Sequence, residues 1–304
     1  MSKLYIIGNG FDLHHGLRSR YFNFKEFVEE KNSELFEMLQ TYFEAEFFWS
    51  DFEAALAELN TDEIINECSD YLVSYSSDEF RSRDNHVYSQ EVESRIKVIT
   101  VVLRAVFTRW ILSIETPENP DVLLDLDRGS QYLNFNYTGT LQKLYGIQGD
   151  QIKYIHNQAV NNDSELILGH GKSLNGIVSL NANLDADSYE YRTVQGNRLL
   201  DEYFVQMSKP TSQILRDIEG YFKSLNYIKE IYVLGHSLSL VDLPYFEKII
   251  ESVGPDTMWT VSYYNNEQLE HHQGVMRELG VADDCVKFIK LESIILDKKQ
   301  LKLF

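Results

Sequence analysis

Residues able to move protons or hold a ligand recur in this chain at one kind of place, just after a short apolar run. Leu4-Tyr5-Ile6-Ile7 stops at Gly8-Asn9-Gly10, with Phe11 and Asp12 following. Glycine there lets the main chain approach a bound group closely, and amides at the start of a following helix favour phosphate. The turn therefore predicts the phosphate side of a nucleotide pocket, with an ordinary tight strand-to-helix turn as the alternative. As a dinucleotide fingerprint it is incomplete, because Leu13 stands where a third small residue belongs. Later runs repeat the pattern. Gln131 to Phe135 leads into Asn136-Tyr137-Thr138-Gly139-Thr140, Gln151 to Ile155 ends at His156-Asn157, and Glu165 to Leu168 ends at Gly169-His170-Gly171. Glu230 to Leu234 is followed by Gly235-His236-Ser237-Leu238-Ser239 and then Asp242. An asparagine amide is a neutral donor and acceptor, and an imidazole, with an unperturbed pKa of about 6.5, is suited to take a proton near neutral pH. Ligands of open parallel sheets bind beyond the carboxyl ends of the strands, so these residues read as one furnished sheet edge.

An alternating α/β core must position them. In the last third, strands at Glu230 to Leu234, Met258 to Tyr263 and Val286 to Leu291 alternate with helices at Leu243 to Val253 and Glu267 to Leu279, the pattern of a doubly wound sheet. Between the first two strands the chain reads as helical. Phe24 to Glu46 carries Phe24, Phe27, Val28, Leu35, Phe36, Leu39 and Phe43 largely at helical spacing. Ser50-Asp51-Phe52-Glu53 has the form of a capping box with Trp49 as a hydrophobic staple. Val92 to Ile114 marks a third long helix, ended by Pro117 and Pro120. Asp185 to Tyr227 is a second helical stretch, broken near Pro210. The prediction is a single α/β, Rossmann-like domain over 1–304, a parallel sheet with helical insertions at about 24–115 and 185–227. Plainer roles compete at single positions: Asn136, Asp12 and Asp242 as helix caps, and His156 as a satisfied core histidine.

Composition narrows the function classes. With 304 residues, 43% hydrophobic, the chain can bury a large core. Its net charge of −19 repels a phosphate backbone and argues against nucleic acid as a partner. Met1-Ser2-Lys3 runs straight into the first strand and no apolar stretch reaches membrane-spanning length, so a cytoplasmic protein without leader or membrane anchor is expected. Cys68 and Cys285 lack metal-ligand spacing and read as reduced, buried thiols; no metal is predicted.

Several blocks in order carry a resemblance. GNGFDLHHGL from Gly8 with Ser19 to Phe24, WSDFE from Trp49, FNYTGTLQKLYG from Phe135 with the downstream IHN and LILGHG, and IYVLGHSLSLVD from Ile231 together resemble the AbiH family of bacterial phage abortive-infection proteins. The resemblance spans nearly the whole chain and implies a role in phage defence. More distantly, the blocks resemble sirtuin-like NAD-binding domains of anti-phage systems, matching at Gly8, Gly10, Asn136, His156, Gly235, Ser237 and Asp242. The chain departs from that pattern at Thr138, where an Asp belongs, at Asn157, where a Gly belongs, and at Asn9 and Asp12 in the first turn. The likeness implies a sirtuin-related core that takes NAD or a related nucleotide as substrate or ligand, possessing NAD nucleosidase chemistry at the nicotinamide–ribose bond. Asn136 and His156 would then carry the chemistry, Gly8, Asn9, Gly10, Phe11 and Asp12 the pyrophosphate side, and Gly235, Ser237 and Asp242 the adenosine side. The alternative is a non-catalytic nucleotide sensor or partner-binding module. A phage-derived trigger or partner protein is expected, and there is room for a homo-oligomer.

Two rival chemistries fit the residues less well. Gly235 to Ser239 resembles a nucleophile elbow, but Ser239 stands where the sharp turn needs glycine, which argues against a serine hydrolase. His14-His15 and His271-His272 suggest a metal-dependent nuclease, yet helical neighbours point about 100° apart and cannot share a metal. Solvated surface is the plain reading of both pairs.

Overall fold

A computed structural model describes residues 2–117, 122–182 and 190–295. The chain forms two compact units, one of Met1–Arg20, Trp110–Ile167 and Pro210–Phe304, the other of Tyr21–Arg109 and Leu168–Lys209.

The first unit is built on a six-stranded, all-parallel sheet. Its strands are β1 (Lys3–Ile7), β2 (Gln131–Asn134), β3 (Ile152–Tyr154), β4 (Glu230–Leu234), β5 (Met258–Ser262) and β6 (Val286–Ile289). They lie in the order β3-β2-β1-β4-β5-β6, a Rossmann-like order. Alternation along the strands explains why both faces are covered, since successive side chains point to opposite sides. Leu4, Ile6, Leu133, Ile231, Val233 and Val261 pack on one face with Phe222, Phe246, Ile249 and Met276. Tyr5, Ile7, Tyr132 and Leu234 pack on the other with Phe11, Leu141 and Tyr145. Each such side chain, fully buried, contributes about 1.5–3 kcal/mol.

The second unit is helical. Its Phe24, Phe48, Phe52 and Phe107 are wholly buried, and Phe24 meets Phe52 and Phe107 edge to face with ring centres 5.5 and 5.2 Å apart. The helix Asp84–Lys97 passes through a π-helical turn at Val98–Val102 into Leu103–Ser113, and the helix Tyr191–Gln206 packs on Asp84–Lys97. Glu53 of the WSDFE segment pairs at 2.7 Å with Lys209, whose side chain is fully buried.

Some expected elements differ. The single helix over Phe24 to Glu46 is three, Tyr21–Lys31, Ser33–Tyr42 and Ala45–Ser50, because Asn32 turns its side chain to accept the Leu35 amide at 3.0 Å and starts a new helix. The cap after Trp49 is Asp51, which accepts from the Ala54 amide at 3.3 Å, while Ser50 Oγ donates back to Phe47 O. Glu165 to Leu168 is not a strand: Ile167 N donates to His156 O and its carbonyl accepts from Tyr137 OH, so its polar groups are met outside any ladder. The start of the second helical stretch, 185–189, lies outside the described residues. Among the described residues no helix is long and apolar enough to cross a membrane.

Candidate functional site

Register places the candidate residues together. Ile7 pairs with both Asn134 and Leu234, and Asn134 pairs with Tyr154, so β1, β2, β3 and β4 end at one level. The segments carrying Gly8, Asn136, His156 and Gly235 therefore leave the sheet side by side. They do so around the gap between β1 and β4, where the strand order reverses and open α/β sheets bind ligands.

The glycines serve contact between two loops. Gly235 has φ +66, and a Cβ there would lie 2.0 Å from Phe11 N. A Cβ on Gly8 would lie 2.5 Å from His236 Cα, and one on Gly10 2.8 Å from Gly235 Cα. The first turn and the turn after β4 are thus interlocked backbone to backbone. The amides expected on the phosphate side are engaged within the protein: Gly8 N donates to Leu234 O, Gly10 N to Gly235 O and Phe11 N to Gly8 O, at 3.1, 2.7 and 2.9 Å. The Phe11 side chain lies in the apolar core, and Asn9 clamps the turn by donating to Ser19 O and accepting from Ser19 Oγ.

Asp12, Asn136 and Thr138 form the first polar group. Asp12 sits inside the short helix Asn9–His14 rather than at its cap, and is 1% exposed. Its Oδ2 accepts from Thr138 Oγ1 at 2.6 Å, and Thr138 Oγ1 lies 3.1 Å from Thr140 Oγ1. Its Oδ1 is buried and makes no hydrogen bond of normal geometry. Burial pushes the Asp12 carboxyl up to about 6, against the smaller opposing pulls of Thr138, Thr140, Asn136 and Lys143. Asn136 caps no helix, since the helix Thr140–Tyr145 has Gly139 at its cap. Instead Asn136 Nδ2 donates to Gly8 O at 3.1 Å, and its amide N donates to Asn134 Oδ1 at 3.0 Å.

His156, Asp242 and His236 form the second group. Asp242 occupies the cap position of the helix Leu243–Ser252 but makes no side-chain cap bond. Its carboxylate faces two imidazoles, with Oδ1 3.8 Å from His156 Nε2 and Oδ2 3.5 Å from His236 Nε2. The Leu238 amide donates to His236 Nδ1 at 3.0 Å, which puts the His236 proton on Nε2, toward Asp242. His156 Nδ1 lies 3.3 Å from Phe135 O, which can only accept. Ser239 Oγ also donates to Asp242 Oδ2, at 3.3 Å.

Not every candidate joins these groups. Ser237 is exposed, and the strained residue of its loop is Leu238, with φ +53, so the turn is no nucleophile elbow. The histidine pairs are only partly surface. His15 is buried, donating from Nδ1 to Phe11 O and accepting at Nε2 from Tyr145 OH, and burial holds its imidazole down to about 4. His272 is wholly buried while His271 is exposed. Among the described residues no group of three or more His, Cys, Asp or Glu is arranged to hold a metal. Thr140 and His236 enter the site without having been expected there. His236 had a signal, being flanked by Gly235 and Ser237 at a strand end; Thr140 had none beyond standing two residues from Thr138.

A parallel sheet in this order, with buried carboxylates, histidines and an amide at its carboxyl edge, defines a Rossmann-like α/β protein with a polar site at the strand reversal. The family described as bacteriophage abortive infection AbiH matches residues 4–263, and the chain belongs to that family. Membership implies a role in phage abortive infection. No curated protein and no solved structure matches the chain.

Proposed function

We propose that this AbiH protein acts in abortive infection by binding NAD or a related nucleotide beyond the carboxyl ends of β1 to β4 and hydrolysing the nicotinamide–ribose bond. The observation that carries the reading is burial: Asp12, Asn136, Thr138, His156, His236 and Asp242 are each less than one tenth exposed at one sheet edge. Buried polar groups cost free energy that apolar side chains would not, and such clusters concentrate where chemistry or ligand binding uses them. Breaking the bond between nicotinamide and ribose passes through an oxocarbenium-like ribose, which needs held hydroxyls, an oriented water and a proton acceptor. In this reading Asn136 holds a ribose hydroxyl or the water, and His156, backed by Asp242, shares a proton with the ribose. The turn from Gly8 to Asp12 shapes one side, and Gly235, Ser237 and Asp242 close the other.

One observation favours a second reading, a sensor that binds a nucleotide without turnover: the amides of Gly8, Gly10 and Phe11 and the Asn136 side chain are already engaged within the protein. Calorimetric titration with NAD, ADP-ribose and adenine mononucleotides, followed by chromatography of the mixtures, separates the two. Binding with release of nicotinamide is the expected result, and intact recovery of a bound nucleotide selects the sensor. Absence of binding and consumption across the panel overturns both.

A further inference from the structure

We propose that Asp12 is the acceptor of the water's proton at this site, reached through the Thr138 hydroxyl. The proposal rests on the NAD-hydrolysis reading and adds to it where that proton goes.

Three observations converge on Asp12. It lies in the first turn of its helix, past the Gly8 cap, and the helix start carries no side-chain capping bond. It is 1% exposed, and no cation lies within ion-pair distance among the described residues, yet it keeps a charge-bearing side chain where Asn would accept the same Thr138 hydrogen bond at less cost. And one of its oxygens, Oδ1, is buried with no hydrogen bond of normal geometry, while the other accepts from the Thr138 hydroxyl at 2.6 Å. A structural carboxylate is normally satisfied on both oxygens; one left half-satisfied beside two hydroxyls and an amide is poised to receive a proton. The groups facing it are Thr138, Thr140 and Lys143 around the helix Thr140–Tyr145, Asn136 after β2, and Tyr154 on β3. Its elevated pKa keeps the proton's arrival and departure near neutral pH.

Thr138 connects this acceptor to the site. Because its hydroxyl donates to Asp12, the lone pairs of Oγ1 remain available to accept, one of them toward Thr140 Oγ1 at 3.1 Å. In the step proposed, the oxygen of water bonds to C1′ of the ribose as the C1′–N bond breaks, and its electron pair leaves with nicotinamide, neutralising the pyridinium nitrogen. The water's proton passes to Thr138 Oγ1 while the Thr138 proton passes to Asp12 Oδ2. The products are ADP-ribose, nicotinamide and a protonated Asp12, which returns its proton to solvent.

The test measures nicotinamide release and NAD affinity from pH 5 to 8 for the wild type, Asp12→Asn, Thr138→Ser and Thr138→Ala, with thermal melts of each. Asp12→Asn is expected to stay folded across this range, bind NAD within about threefold, and release nicotinamide at least about 100-fold more slowly. The wild-type rate should rise through the region of pH 6, and that limb should be absent in Asp12→Asn. Thr138→Ser should keep most of the rate and Thr138→Ala should lose it. An Asp12→Asn rate within twofold of wild type, with the same acid limb, overturns the assignment of Asp12 and leaves NAD hydrolysis standing. A wild type that binds NAD but never releases nicotinamide overturns the hydrolysis reading, and this proposal with it.

Discussion

At the scale of single residues, Asp12 makes the most direct prediction because its titration has a sign. Its folded carboxyl titrates near 6 against 3.8 for the ordinary group, so between those values the folded chain binds more protons than the unfolded one. Stability contributed by this residue therefore falls as pH rises from about 4 to about 6 and is level above, with a total effect on the order of 2–3 kcal/mol. Asp12→Asn should remove that downward slope, which urea melts at half-unit intervals across the window would read; an unchanged slope would place the titration elsewhere. Thr138→Val leaves the carboxylate without its donor and should cost about 1–3 kcal/mol at pH 7, measured in the same melts, with less effect below pH 5. What the sequence conveyed at this scale was position rather than partnership. Asn136 and His156 follow apolar runs, so their place just past strand ends was legible, as was the place of Asp242 before the helix Leu243–Ser252. Their directions were not, because Thr138 meets Asp12 across 126 residues and Asn136 meets Gly8 across 128. Local spacing favoured caps for Asn136 and Asp242, and tertiary partners took both side chains elsewhere.

At the scale of elements, the two turns that interlock beyond β1 and β4 hold the site in place. Gly235→Ala sets a Cβ 2.0 Å from Phe11 N at a backbone angle that favours glycine, and should cost at least about 2–4 kcal/mol, visible as a large fall in melting temperature. Gly146→Ala is the fitting control. It too has a positive φ, of 65, but nothing lies within 4 Å of its added Cβ, so its loss should be limited to about 1 kcal/mol. Equal losses at the two positions would show that the interlock contributes little beyond backbone strain. The strands flanking these turns were legible because Leu4 to Ile7 and Ile231 to Leu234 are unbroken apolar runs. Glu165 to Leu168 misled for the same reason: a short apolar run satisfies its backbone equally well through His156 O and Tyr137 OH. The split of the first helical stretch turned on one residue, Asn32, whose capping competes with helix propagation wherever it stands.

At the scale of the whole molecule, the parallel sheet and the family membership come from separate observations. The βαβαβ pattern of the last third implied a doubly wound sheet but not its strand order, with β1 and β4 adjacent at the centre, since the long segments between β1 and β2 and between β3 and β4 carry no information about which edge the chain returns to. The blocks that carry the AbiH likeness fall largely at the carboxyl edge of that sheet, within a family match that covers residues 4–263. The most direct test of the central claim incubates purified protein with NAD, with and without lysate from phage-infected cells, and quantifies nicotinamide against Asn136→Ala and His156→Ala. Release by the wild type, with both variants reduced at least about 100-fold while still folded, is the expected result. Release that both variants sustain at the wild-type rate, or no release under any condition, would contradict a nucleosidase site at the ends of these strands.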